Sequence, residues 1–290
     1  MKGVILAGGK GTRLHPLTLV TSKQLLPVFD KPMIYYSLST LIHSGVNDIL
    51  IIANPEDITK FSTLLGNGDY FGIRISYRAQ IAPLGIAHAL INIQDFLQGN
   101  DFWFILGDNF FHGPTFGKAL HDLPQKGKAL CFLYHVAHPR DFGVAVVNDS
   151  GSIVEIVEKP EKFISSLAIT GLYFLPANAP ETAAKLPASK RGEIEITDLL
   201  RIYLNQNNLS GIRVSRGNTW LDLGSAESIS KASSMVQVIQ NNQGLLVGSP
   251  EEAAFNAGFL SKNLALNNLS NLTDTSYVAL LREVLSEDTI

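Results

Sequence analysis

At 290 residues, with 46% hydrophobic and 17% charged positions, the chain is long and apolar enough to bury a sizeable core, which excludes a disordered segment. A formal net charge of −3 without a basic run argues against a bulk nucleic-acid binder, which needs a concentrated cationic face. One cysteine, Cys131, allows no internal disulfide, and neither a secretory leader nor an apolar stretch of about 20 residues is present, so a cytoplasmic protein without membrane contact is expected.

The first predicted element is a strand, Val4 to Ala7, apolar at every position as in strands buried on both faces. Gly8, Gly9 and Gly11 follow at once, with Lys10 and Arg13 among them. Asp30-Lys31-Pro32 reads as a helix start with proline in the first turn; Ile34, Leu38, Leu41 and Ile42 recur at helical spacing and Gly45 ends the run. A buried strand over 48–53, a helix over 56–65 and an alternating strand at Ile73, Ile75 and Tyr77 come next. The stripe Ile86, Leu90, Ile93 and Leu97 predicts a helix over 86–97, and Phe102 to Leu106 a central strand ending in Gly107-Asp108-Asn109. After a strand over 130–136, the segments 144–147 and 153–157 form a hairpin about the turn residues 148–151. A strand over 169–175, a helix over 195–204 and a short strand over 212–214 lead to Trp220-Leu221-Asp222, and only helices and loops are expected beyond Ser225. The alternation predicts an α/β fold, a mainly parallel sheet with helices on both faces. Residues 1–238 form the α/β domain and 239–290 a helical extension packed on it.

Three groups of residues point to phosphate and metal chemistry. The glycine-rich turn after a buried strand presents backbone N–H groups to an anion, with Arg13 and, from a second loop, Lys23 and Gln24 near it. It matches neither a dinucleotide fingerprint, since Leu14 stands where the third glycine belongs, nor a Walker A loop. Asp108 follows a predicted strand and Asp222 an apolar-aromatic pair, also a strand-end context, and two carboxylates at strand ends suit Mg²⁺, a hard cation that takes oxygen ligands. Glu158 and Lys159 can hold sugar hydroxyls and a phosphate, Arg191 can fork onto the same phosphate, and Gln80 can read a base edge. Each has a plainer reading: a turn former or helix cap for a lone Asp, a surface ion pair for Glu158-Lys159, a solvated helix start at Arg191, a solvent-facing Gln80.

Taken in order, Gly3 to Leu14, Ser22 to Pro27, Asp30 to Tyr36, Leu106 to Asn109, Glu158 to Pro160, Thr170 to Phe174, Arg191 to Asp198 and Trp220 to Asp222 resemble the sugar-1-phosphate nucleotidylyltransferases. The resemblance covers some three quarters of the chain. It implies the Rossmann-like nucleotide-diphospho-sugar transferase fold and transfer of a deoxythymidylyl group from dTTP to glucose 1-phosphate, releasing pyrophosphate. It further implies that Gly8, Gly11, Thr12, Arg13 and Lys23 hold the triphosphate, that Gln24, Gln80 and Gly85 face the base, and that Asp108 and Asp222 carry Mg²⁺. Gly143, Glu158 and Ile169 would line the hexose, Lys159 and Arg191 would grip its phosphate, and the chain would assemble as a homotetramer. Two alternatives are a related enzyme using UTP, CTP or another hexose 1-phosphate, and a catalytically silent nucleotide-sugar sensor.

Overall fold

The computed structural model describes residues 1–270 and 272–286; residue 271 and the last four residues of the expected extension lie outside the described residues. The opening apolar run becomes β1 (Lys2–Ala7). Its Val4 and Ile5 enter different core clusters and neither touches solvent. The chain then makes β2 (Pro27–Val28) and β3 (Lys31–Pro32), a small antiparallel hairpin, before α1 (Ile34–His43). Here the structure corrects the sequence reading: Pro32 lies in a strand, not in the first helical turn. Lys31 is buried and tied to Asp30 and Gln240, which holds this stretch extended until Met33.

Next come β4 (Asp48–Ala53), α2 (Ile58–Leu65) and β5 (Arg74–Ala79). The helix expected over 86–97 is broken into a 3₁₀ turn, Ala87–Leu90, and a short α3 (Gln94–Leu97). Tertiary partners interrupt it. Ala87 N–H donates to the Ile194 carbonyl (3.1 Å), and the Asn92 carbonyl is taken by the Arg78 guanidinium. The apolar stripe is still buried, so the pattern reported burial correctly but not the backbone.

β6 (Phe102–Leu106), β7 (Asn109–His112), β8 (Ala129–His135), β9 (Gly143–Val147), β10 (Ile153–Glu158) and β11 (Leu167–Leu175) follow. They lead into α4 (Ala179–Ala183), α5 (Ile196–Asn205), β12 (Leu209–Arg213) and β13 (Thr219–Asp222). α6 (Ala226–Gln243), α7 (Pro250–Asn256), α8 (Lys262–Ser270) and α9 (Ser276–Ser286) complete the described chain.

The main sheet runs β10-β9-β11-β6-β1-β4-β5, with β8 on β11 and β12 on β8. Its N-terminal half is parallel: Ile5 lies opposite Ile51 of β4 and Ile105 of β6. Its second half is antiparallel about β11, which pairs with β6, β8 and β9. Parallel strands need both faces covered. Leu38 and Leu41 of α1, Phe61 of α2, Ala253 of α7 and Leu281 of α9 join Ile5, Ile51 and Ile105 on one face. Leu90, Leu97, Leu199 and Tyr203 cover Val4, Leu50 and Phe104 on the other. Because β1 and β6 run parallel, Gly8 and Asp108 emerge at the same edge, the carboxyl end where open α/β sheets bind ligands. A separate ribbon, β7 against β13, brings Asp222 to that edge with Asn109 as its register partner.

Candidate active site

The glycine loop is built by close approach. A side chain at Gly8 would place its Cβ 2.5 Å from Gln80 Oε1, so any larger residue there would push that amide aside. Gly11 sits at φ 57°, its carbonyl accepting from Thr18 Oγ1 at 2.8 Å, and the chain turns into the 3₁₀ segment Thr12–Leu14. Arg13 projects from this turn with its side chain 70% exposed, and its Nη2 stands 3.9 Å from Asp222 Oδ2. Lys23 opens a further 3₁₀ turn, Lys23–Leu25, in which Gln24 is buried beneath Gly107 and accepts from Ser22 Oγ at 2.7 Å.

Four charged groups meet at the sheet edge. The Lys23 ammonium bonds directly to Asp108 Oδ2, opposite the Arg13–Asp222 pair. Burial works against ionisation of Asp108, but the ammonium outweighs it and keeps the carboxyl below the usual range. Asp222 behaves in the opposite way. Its burial, followed by the negative charge of Asp108, pushes it up to about 6 despite Lys23 and Arg13. The two carboxylates therefore repel each other even with a lysine and an arginine beside them.

A cleft of about 500 Å³ connects these groups with the second half of the sheet. Arg13, Asp108 and Asp222 lie on its wall with Gly143, Glu158, Lys159, Ile169 and Arg191. Gly143 and Glu158 are register partners, and a Cβ at Gly143 would stand 2.6 Å from Thr197 Cγ2. Thr197 Oγ1 donates to Glu158 Oε2 at 3.0 Å. Burial, then the charge of Glu195, holds the Glu158 carboxyl above the usual range against Thr197, Arg191 and Lys159. Arg191 is surrounded by acids: its Nη2 is 2.9 Å from Glu195, 3.2 Å from Glu158 and 3.4 Å from Glu193.

The remaining predicted residues flank this cleft. Gln80 is buried beside Gly8 and lines a neighbouring cavity of about 310 Å³ with Leu84, His88 and Asn92. Gly85, at φ 112°, packs where a Cβ would sit 2.4 Å from the Ile194 carbonyl, and Leu84 accepts from Ile194 N–H at 2.7 Å. The loop carrying Gln80 is thereby clipped to the segment carrying Arg191. Thr12 shares the turn of Arg13.

The model of a family described as nucleotidyl transferase matches residues 2–238. The chain belongs to that family. A glucose-1-phosphate thymidylyltransferase of Mycolicibacterium smegmatis is 43% identical over 99% of this chain and all of that protein. One from Neisseria meningitidis is 48% identical over 90% of this chain and 91% of its own length. Among solved structures, a putative glucose-1-phosphate thymidylyltransferase from Bacillus anthracis in complex with a sucrose has a TM-score of 0.75 at 39% identity, covering 81% of this chain and 94% of that one. A UDP-glucose pyrophosphorylase complexed with UDP-glucose has a TM-score of 0.72 at 25% identity, covering 82% and 98%.

The family match ends inside α6, after β13 has delivered Asp222. Within the matched region, sequence reasoning assigned no role to three residues that the structure places at the cleft. Thr197 holds Glu158, Trp220 packs against Phe142 with ring centroids 5.1 Å apart, and Asn109 hydrogen-bonds Asp108. Asn109 and Thr197 both lie in stretches that carry the family resemblance, Leu106 to Asn109 and Arg191 to Asp198, but their hydrogen-bond partners were not legible there.

Proposed function

We propose that the chain transfers the deoxythymidylyl group of dTTP to α-D-glucose 1-phosphate, giving dTDP-glucose and pyrophosphate. The observation that carries this reading is one cleft with the Lys23–Asp108 and Arg13–Asp222 pairs at one end and Glu158, Lys159 and Arg191 at the other. The names of the similar proteins support the same reaction.

Asp108 and Asp222 fit a divalent cation. They are two converging carboxylates, one forced up to about 6 by burial and its neighbour's charge, a mismatch that a hard cation relieves. They would hold Mg²⁺, which when bound supplies positive charge to the phosphate oxygens of the transition state. The chain's own residues do the positioning. The loop of Gly8, Gly11 and Thr12 receives the triphosphate, and Arg13 and Lys23 neutralise its charge. Gln24, Gln80 and Gly85 face the base. Gly143, Glu158 and Ile169 orient the hexose, and Lys159 and Arg191 hold its phosphate. That phosphate is already an anion at neutral pH and attacks the α-phosphorus without a general base, so the task is in-line alignment of two anions. Mass analysis after incubation with dTTP, glucose 1-phosphate and Mg²⁺ is expected to show dTDP-glucose; binding without turnover would sink the enzyme reading in favour of a sensor. A UTP or CTP preference in a comparison of kcat/KM would replace dTTP, since an apolar pocket discriminates one methyl by only ~1–3 kcal/mol.

Two further outcomes follow from the site. Arg191→Met is expected to raise KM for glucose 1-phosphate about 10–100-fold, the worth of a charge-assisted contact, with KM for dTTP little changed. Steady-state kinetics with each substrate varied in turn checks this. Secondly, kcat/KM measured at sub-saturating Mg²⁺ is expected to fall as pH drops through about 6, because a proton on Asp222 then competes with the cation, and to level off above it. A flat profile from pH 5 to 8 would remove Asp222 from the essential charges. The proposal extends to a transferase unit of residues 1–238 with a helical extension, and to a cytoplasmic homotetramer, for which sedimentation should give the mass of four chains.

A further inference from the structure

Asn109 stands between the two aspartates in the chain's architecture and is only 3% exposed. Its side chain makes three hydrogen bonds, two to distant strands and one to the preceding residue. Oδ1 accepts from the Trp220 indole N–H at 2.6 Å and from the Gly171 N–H at 3.0 Å, and Nδ2 donates to Asp108 Oδ1 at 3.2 Å. The orientation of the amide is unambiguous. Indole and backbone N–H groups can only donate, so the oxygen must face them, which leaves the NH₂ group for a carboxylate that can only accept.

The surroundings are shaped to this amide. β11 slips register against β8 between Ile169 and Tyr173, and Gly171 lies within that slip. A Cβ at Gly171 would come 2.6 Å from Asn109 Oδ1, so only glycine admits the contact. The backbone is fixed as well: the Asp108 carbonyl accepts from Leu223 N–H at 2.9 Å, and the Asn109 carbonyl from Ser37 Oγ at 3.2 Å. Asp108 thus has one carboxylate oxygen on Lys23 and the other on Asn109, and its rotamer is set by both.

We propose that Asn109 is a positioning residue: one amide at the start of β7 ties β11 and β13 together and fixes the Asp108 carboxylate in the orientation used by the metal site. This rests on the reading of Asp108 and Asp222 as cation ligands. Only asparagine serves both halves of the task at this reach. An aspartate keeps the acceptor for Gly171 and Trp220 but loses the donor to Asp108 and sets a like charge beside it. An alanine loses all three bonds and leaves two buried donors unpaired.

Asn109→Asp and Asn109→Ala separate a strand tie from a positioning role. Three quantities are measured on the full chain: thermal unfolding, steady-state kinetics, and Mn²⁺ binding in the presence of dTTP counted by electron paramagnetic resonance. For Asn109→Asp the expected result is a melting temperature within a few degrees of wild type, a turnover at least about 10-fold lower, KM for glucose 1-phosphate within about 3-fold, and a half-saturating Mn²⁺ concentration displaced by about 5-fold or more. Asn109→Ala is expected to show the same losses with a lower melting temperature. Gly171→Ala, which displaces the amide without changing it, is expected to move Mn²⁺ binding in the same way. Wild-type turnover and Mn²⁺ binding in Asn109→Asp would overturn the proposal, leaving Asn109 a strand tie alone. So would losses that merely track the fraction unfolded. A wild-type chain that binds no Mn²⁺ with dTTP would overturn the reading of the aspartates themselves, and this proposal with it.

Discussion

Asp108→Asn and Asp222→Asn are each expected to lower turnover by about 10²–10³-fold, the usual cost of removing one preorganised charge stabiliser, while moving stability in opposite directions. Asp108 neutralises a Lys23 ammonium whose side chain is largely buried. Its loss strands that charge, and breaking such a pair costs about 3–5 kcal/mol. Asp222 is a carboxylate that the fold disfavours. With a folded value of about 6 against an ordinary 3.8, the native chain holds a proton that the unfolded chain has already released between those pH values. Stability therefore falls as pH rises through that window, and the penalty, on the order of 1–3 kcal/mol, is fully present at neutral pH. Asp222→Asn removes it. Chemical denaturation at pH 7 should find Asp108→Asn less stable than wild type and Asp222→Asn as stable or more so, with pyrophosphate release slowed about 10²–10³-fold in both. Near-normal turnover in either variant would remove its aspartate from the metal site. Equal destabilisation of both would contradict the electrostatic asymmetry.

Lys31→Met is expected to lower stability by about 3–5 kcal/mol while leaving turnover of the folded protein within a few-fold of wild type. Lys31 is 3% exposed, and its ammonium bonds Asp30 and Gln240 and stands 5.1 and 5.3 Å from the ring centroids of Tyr36 and Tyr277. Gln240 closes the circle, donating to Asp30 at 2.8 Å and accepting from Val247 N–H at 3.1 Å. The knot joins the β2–β3 hairpin, the end of α6 and Tyr277 of α9. Burial disfavours the ammonium, so its partners must hold the charge; methionine fills the volume but leaves Asp30 with less than its full set of donors. Urea unfolding followed by circular dichroism gives the loss, and Asp30→Asn in the same chain should recover part of it. Lys31 lies outside the cleft, so a collapse of turnover in folded Lys31→Met would show that this knot controls the site rather than the fold.

The elements legible in the sequence share a physical cause. β4 and β6 were read at their observed bounds because parallel strands covered on both faces must be apolar throughout, and that pattern is local. The helix end at Gly45 and the turn after Asn148 were legible for a similar reason: a positive φ, at 82° and, for Gly151, 81°, selects glycine whatever surrounds it. Asp108 was legible because a carboxylate just after a buried strand is forced to the sheet edge, and Asp222 because it closes a short strand, β13 of the separate ribbon.

What the sequence determined by itself was therefore burial, turns and the chemical identity of the groups at the strand ends. Only tertiary structure decided which backbone groups those segments bond. Pro32 became a strand residue because Lys31 is anchored by Gln240 from α6, and the 86–97 helix broke because Ala87 and Asn92 found partners outside their own segment. The same holds for the site. That Asp108 sits low and Asp222 near 6, and that one asparagine ties three strands beneath them, depends on distances between residues far apart in the chain. Electrostatic and hydrogen-bond energies vary with those separations, and residue order alone leaves them undetermined.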